Sequence, residues 1–298
     1  MICAEQVTMR FGDFVALDQL KCEIPEGCVY GLVGSNGAGK STLMRLIAGV
    51  YRPYSGVVTV DGVAVYDNPS VKERVTFVPD DLYFLPHSSM DRMAELYAAN
   101  YAKFNRERYA ELSDGFGLNR KANLGTFSKG MRRQAAIILA LATMPDYILF
   151  DETFDGLDPV MRNLVRRVIY ADVEERNATA VISSHSLRDL EDTCDQLALL
   201  HKGGLIFESD IGNLKTNLFK LQIAFAEEYD KHILDGFEVL NWTKKGSVAN
   251  AIIRGDAGAV RAKLTPSSPL IFDILPLTLE EIFIHEMEAL GYAFHDVL

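Results

Sequence analysis

Apolar and polar positions alternate through residues 1–33, with turn signals at Gly12-Asp13 and Glu26-Gly27, which predicts short antiparallel strands. They lead into an unbroken apolar run, Val29 to Val33, and a helix-like run follows from Thr42 to Ala48, stopped by Gly49. Tyr54 to Val65 reads as a hairpin turning at Asp61-Gly62, and Val75 to Val78 as another strand, ended by Pro79-Asp80-Asp81. From Pro86 to about Phe127 the period becomes helical. Met90, Met93, Ala94, Tyr97 and Tyr101 share one spacing, and Tyr109, Leu112 and Phe116 follow them. Ser128 is a natural N-cap for an apolar helix running from Gln134 to Ala142. Tyr147 to Phe150 is continuously apolar, as suits a central parallel strand covered on both faces. A turn from Thr153 to Pro159, a helix from Val160 to Val173 and a strand from Thr179 to Ile182 complete an alternating α/β order.

Beyond this the pattern weakens. Leu197 to Leu200 and Leu205 to Phe207 flank His201-Lys202-Gly203-Gly204 as a closing hairpin, and Ser209 to Asn217 reads as a connector. Leu221, Ile223 and Phe225 alternate, and Ala251 to Ile253 and Leu270 to Leu275 look like strands. Thr278-x-x-Glu281 is a capping box opening a helix with Leu279, Phe283, Met287 and Leu290 on one face. Residues 211–298 therefore read as a small accessory α/β region without a catalytic cluster.

Between the first apolar strand and its helix lies Gly34-Ser35-Asn36-Gly37-Ala38-Gly39-Lys40-Ser41, the G-x-x-x-x-G-K-[ST] pattern in its strand, turn and helix context. Glycines let successive N–H groups turn inward around a phosphate. The helix N-terminus adds about half a positive charge, and Lys40 brings a full one. Ser41 offers a hydroxyl to Mg²⁺, and Thr42 joins the candidate nucleotide contacts.

Carboxylates at strand ends extend the chemistry. Asp151-Glu152 follows the buried-type strand, where ligands sit in open α/β sheets. Asp151 is placed to hold Mg²⁺ or its water, and Glu152 to orient or deprotonate an attacking water. His185 closes Ser183-Ser184-His185 at another strand end, within reach of a γ-phosphate. Alone, an Asp-Glu pair commonly starts a solvent loop, and a lone His is more often a surface or capping residue. A phosphate loop in the same chain shifts the weight toward chemistry.

Composition narrows the setting. With 298 residues, 48% of them apolar, the chain suffices for one large or two ordinary domains. The 41 acidic and 30 basic residues give a net charge of −11, which argues against broad attraction to nucleic acid or anionic lipid. Cys3, Cys22, Cys28 and Cys194 lack C-x-x-C spacing, so reduced thiols in a cytosolic compartment are expected. No signal-peptide order precedes the first strand, and the longest apolar run, interrupted by Thr143, Pro145 and Asp146, is too short for a bilayer of about 30 Å. The sequence thus predicts a soluble chain.

Taken in order across residues 1 to about 210, these motifs resemble the nucleotide-binding domain of ATP-binding-cassette (ABC) proteins. The matches are an adenine-stacking aromatic at Phe11, the phosphate loop from Gly34 to Ser41, and a signature segment from Phe127 to Met131. The Asp151-Glu152 pair, the loop carrying Asp158 and a switch histidine at His185 follow. The resemblance implies a P-loop NTPase core with a mixed sheet, an antiparallel β subdomain and a helical insert at about 86–142, followed by a small C-terminal α/β appendage. It further implies ATP and Mg²⁺ as ligands. Two copies, or this chain and a similar subunit, would pack head to tail, with ATP held by Lys40 and Ser41 of one and capped by Ser128 and Gly130 of the other. Asp158 would lie near the shared seam.

Three departures stand out. Asp80 occupies the position after the Val75–Val78 strand where the family usually has Gln or Glu touching the metal. Phe127 replaces a Leu, and Lys129 and Met131 replace a Gly and a Gln or Glu, whereas Ser128 and Gly130 are retained. This Ser-Lys-Gly-Met form is similar to the branch that energises two-component exporters.

The expected function is ATP hydrolysis driving a separately encoded membrane permease, with the chain cytoplasmic and peripheral at the inner face of the cell membrane. Two alternatives stay open. One is a non-transport ABC ATPase acting on nucleic acid or ribosomes, which the single cassette, the lack of heptads and the charge of −11 disfavour. The other is a degenerate ATP-binding clamp, suggested by Asp80 and Lys129.

Overall fold

Strands with apolar residues at every position need cover on both faces, and the architecture of the first part of the chain follows from that need. The computed structural model describes residues 1–154 and 156–289; Asp155 and Leu290, both within segments read above, lie outside the described residues. The chain divides into two compact units, Met1–Glu208 and Ser209–Leu298.

In the first unit, β1 (Ile2–Phe11) and β2 (Phe14–Ile24) form an antiparallel pair joined at Gly12-Asp13. At 10 and 11 residues they are longer than short strands. They reach this length through register shifts between Ala4 and Arg10 that bend β1 without ending it. β3 is Val29–Val33, and α1 (Lys40–Ile47) follows the phosphate loop. β4 (Ser55–Val60) and β5 (Val63–Ala64) complete an antiparallel sheet of order β2-β1-β4-β5. After α2 (Pro69–Lys72) comes β6 (Val75–Val78). The helical insert holds α3 (Met90–Asn100), α4 (Arg106–Gly115) and α5 (Lys129–Ala142). β7 (Tyr147–Asp151), α6 (Pro159–Arg176), β8 (Thr179–Ser184), α7 (Leu187–Glu191) and β9 (Gln196–His201) follow, and β10 (Gly204–Asp210) runs to the unit's end at Glu208 and two residues beyond.

The main sheet has six strands in the order β10-β9-β3-β8-β7-β6, parallel from β9 through β6. Strand alternation divides its faces. Tyr30, Leu32, Tyr147, Leu149, Val181, Ala198 and Leu200 turn toward one core, shared with α1 and the antiparallel sheet. α1 is thus held between two sheets, and Leu43, Met44, Leu46 and Ile47 are buried there. The alternate residues, among them Ile148, Phe150 and Ile182, are equally buried, and α5 packs at β6 and α6 and α7 at β8. Within α5 every residue from Arg133 to Ala142 is buried, since α3 and α4 also pack on it.

The second unit is a four-stranded antiparallel sheet of order β12-β13-β11-β14 with helices. Its elements are α8 (Ile211–Asn217), β11 (Leu218–Ala224), β12 (Glu238–Lys245), β13 (Val248–Arg254), α9 (Ala257–Leu264), β14 (Ile271–Pro276) and α10 (Leu279–Ala289). The connector expected at Ser209 to Asn217 is instead largely helix, because Asp210 accepts from the Asn213 N–H at 2.9 Å and caps it. The capping box forms as the sequence suggests. The Glu281 N–H donates to Thr278 Oγ1 at 3.2 Å and the Thr278 N–H to Glu281 Oε2 at 2.9 Å. Leu279, Phe283 and Met287 are fully buried behind it. Among the described residues no helix is long and apolar enough to cross a membrane.

Candidate functional site: a phosphate-loop cavity at the sheet edge

Parallel register assembles the site. Val33 pairs with Ser184, Phe150 with Ile182 and with Val78, and Asp151 with Ser183. The residues that leave these strands are therefore delivered to one edge of the sheet: the loop beginning at Gly34, Asp151-Glu152, Asp80 and His185.

The loop is seated by close backbone approach. Gly34 has φ +155, and a Cβ there would lie 2.3 Å from the Leu200 carbonyl oxygen. Gly39 has φ +110 and would meet the Ala16 carbonyl at 2.8 Å. Both positions demand glycine on conformational and steric grounds. Gly39 is also the N-cap of α1, with no side chain capping the helix, so the first-turn N–H groups face the cavity. The turn at Lys202-Gly203 braces the loop from behind, with Gly203 N–H donating to the Ala38 carbonyl at 3.0 Å.

Lys40 is 5% exposed and its ammonium donates to the Gly34 carbonyl at 2.6 Å and the Ser35 carbonyl at 3.3 Å. Its third neighbour is Glu152 Oε1 at 3.3 Å. Glu152 Oε2 lies 2.9 Å from Nδ1 of His185, so one carboxylate joins the lysine to the histidine. Glu152 has φ +48, a left-handed backbone uncommon for a residue with a Cβ. Its N–H donates to Ser183 Oγ at 3.0 Å, which helps hold that turn.

Asp151 is fully buried. Its Oδ1 accepts from Ser41 Oγ at 3.0 Å and Ser183 Oγ at 2.7 Å, while Oδ2 has no hydrogen-bond partner among the described residues. A buried, unpartnered carboxylate oxygen beside a serine hydroxyl suits a hard divalent cation that takes oxygen ligands and keeps several waters. Mg²⁺ fits this donor set.

The loop, Asp80 and Glu152 line a cavity of about 240 Å³ together with Phe11, Phe14 and Ala16. Phe11 stands at the tip of the β1-β2 hairpin, 45% exposed, with its ring 5.5 Å from Tyr51 edge to face. Phe14 is its cross-strand partner and is more exposed still. The sequence reading missed Phe14, although the turn at Gly12-Asp13 already set it opposite Phe11. It missed Ser183 too, whose contact with Asp151 only register reveals.

Ser128, Gly130 and Asp158 do not line this cavity. Ser128 caps α5, its Oγ accepting from Met131 N–H at 3.2 Å. Asp158 caps α6 through the N–H groups of Val160 and Met161 at 2.9 and 3.0 Å. Gly130 lies against the turn at Gly156, whose carbonyl would sit 3.1 Å from a Cβ at position 130. The structure thus brings the phosphate loop, Asp80, Asp151, Glu152 and His185 together and leaves the signature segment and Asp158 elsewhere on the protomer.

A glycine-seated loop at a helix N-terminus, with a buried lysine and strand-end carboxylates, defines a P-loop nucleotide-binding protein of the ABC cassette fold. Residues 17–155 match the family model described as ABC transporter. The ABC transporter ATP-binding protein NatA of Bacillus subtilis (strain 168) is 34% identical over 226 residues, 72% of this chain and 91% of NatA. The ABC transporter ATP-binding protein YtrB of the same organism is 28% identical over 95% of this chain and 97% of its own. The daunorubicin/doxorubicin resistance ATP-binding protein DrrA of Streptomyces peucetius is 36% identical over 68% of this chain, which spans 63% of DrrA. Among solved structures, the dimeric cassette MJ0796 superposes with a TM-score of 0.65 at 23% identity, over 71% of this chain and 99% of that one, a likeness of fold. The chain belongs to the ABC transporter family as an ATP-binding, ATP-hydrolysing subunit.

Proposed function

We propose that this subunit homodimerises, or pairs with a similar subunit, and drives a separately encoded membrane permease as an exporter. In this reading residues 1–210 are the nucleotide-binding domain, with its helical insert at about 86–142, and residues 211–298 are an accessory region. The chain would be cytoplasmic and peripheral at the inner membrane face, with no nucleic-acid partner. The observation that carries the catalytic part is the convergence of Lys40, Ser41, Asp151, Glu152 and His185 on one sheet edge. Export is supported by the Ser-Lys-Gly-Met signature and by the resistance function in DrrA's name.

Each residue then has a physical task. The N–H groups of the loop and of α1 bind phosphate oxygens, and Lys40 exchanges its pairing with Glu152 for the terminal phosphates. Phe11, with Phe14 beside it, offers a ring face to the adenine. Ser41 and Asp151 would hold Mg²⁺, and Asp80, which lines the same cavity, would act through a water. When bound, the ion neutralises charge on the transferring phosphoryl group. Glu152, released from Lys40, orients a water and takes its proton as the water oxygen bonds to the γ-phosphorus and the bond to the ADP oxygen breaks. His185 holds Glu152 and reaches the γ-phosphate. The capping donors, Ser128 and Gly130, come from the second subunit, and Asp158 lies at the seam.

Two substitutions test the assignment. Glu152→Gln should retain ATP binding in calorimetry and lose hydrolysis by about 10²- to 10⁴-fold. Lys40→Ala should lose nucleotide affinity. Undiminished turnover in the first variant, or unchanged binding in the second, contradicts it. Absence of steady-state hydrolysis in the unaltered protein would instead support an ATP-binding clamp.

A further inference from the structure

The loop after β6 carries Asp80, and the structure gives that carboxylate a partner. Arg133, on the first turns of α5, is 1% exposed yet carries a full charge. Its Nη1 donates to the carbonyls of Pro79 and Asp80 at 3.2 and 3.0 Å, and its Nη2 to Asp80 Oδ1 at 2.8 Å. Arg132 adds a second tie, donating to the Leu82 carbonyl at 3.2 Å with its guanidinium 5.7 Å over the Phe84 ring. The loop after β6 is therefore fastened to the helix that Ser128 opens.

Asp80 itself lies between two spaces. It lines the phosphate-loop cavity with Glu152, and it also lines a cavity of about 300 Å³ with Phe127, Lys129, Arg132 and Arg133. Its carboxylate is 58% exposed, so what fixes its direction is the arginine and not packing. A buried guanidinium that loses its carboxylate is left uncompensated, and a charge-assisted hydrogen bond is a strong one. A cation at Ser41 and Asp151 and the guanidinium of Arg133 would thus both draw on the same carboxylate, which lines the cavities on which each borders.

We propose that Arg133 is a positioning residue that holds Asp80 toward α5 in competition with the magnesium site. The proposal rests on the reading of Ser41 and Asp151 as metal ligands given above. A neutral Gln at this position would bind the arginine less tightly than a carboxylate does.

The test is the free magnesium concentration needed for half-maximal binding of a non-hydrolysable ATP analogue, measured by calorimetry on the full chain. Arg133→Gln frees Asp80 and should lower that concentration by roughly threefold or more. Arg133→Lys, which keeps the charge, should stay nearer the parent. Asp80→Asn should raise the concentration, and adding Arg133→Gln to it should produce no further shift, because the competing carboxylate is gone. A merely structural arginine would lower thermal stability and leave the magnesium dependence where it was. An unshifted midpoint in folded Arg133→Gln, or an equal shift with and without the Asp80 carboxylate, overturns the proposal alone. If Arg133→Gln does not fold, Asp80→Asn decides by itself, since an unshifted midpoint there means Asp80 never serves the metal. Failure of the parent to bind the analogue would overturn the nucleotide reading and the proposal together.

Discussion

Lys40 shows how single residues are prepared for an anion. Its ammonium is buried between two carbonyls and Glu152, so its charge is compensated inside the protein and is available to a more highly charged partner. The thiols show the opposite preparation. Burial pushes Cys22 up to about 12 and Cys28 up to about 11, and it raises Cys194 and Cys3 as well, the latter helped by Glu23. A raised pKa means less thiolate at any given pH, and the thiolate is the nucleophile. At pH 8 a disulfide reagent should therefore find at most one fast thiol, the partly exposed Cys3, and all four in denaturant. Reactivity of Cys28 should rise with pH before that of Cys22. More than one fast thiol at pH 8 would contradict the burial. Lys40, Ser41, Asp151, Glu152 and His185 were legible in the sequence because each sits in or just beyond a local motif at a strand end. Phe14, Ser183 and Arg133 were not, because register and long-range packing choose their partners.

At the scale of elements, burial decides both what matters and what can be read. Leu149 in β7 is fully buried between α1 and the sheet, so Leu149→Ala should cost about 2–5 kcal/mol in urea unfolding. Leu275 on the edge strand β14 is 42% exposed, and Leu275→Ala should cost less than about 1 kcal/mol. Equal costs would mean that the two-faced core is misassigned. The same contrast governs legibility. The central strands and α5 stood out as apolar runs because both sheet faces are covered. β12 escaped notice because it is an edge strand whose residues alternate poorly, with Thr243, Lys244 and Lys245 all exposed. α9 buries only Val260 and Leu264 and carries Gly258, too little for a helical period to show. α8 was read as a connector because its seven residues depend on the Asp210 cap more than on propensity.

At the scale of the whole molecule, the proposed function divides one site between two places on the protomer. The phosphate loop and its carboxylates gather at the sheet edge, while Ser128, Gly130 and Asp158 stand outside that cavity. Ser128 and Asp158 sit at helix N-termini as caps, and the α5 terminus has further N–H groups for an anion. In the proposed function a second copy supplies donors from Ser128 and Gly130, and nucleotide would bias the equilibrium between open and closed pairs. Light scattering on Glu152→Gln with magnesium and saturating ATP tests this claim most directly. The account predicts twice the chain's mass with ATP and a single protomer without it, with Ser128→Glu abolishing the dimer. A single-protomer mass in the presence of bound ATP would contradict it.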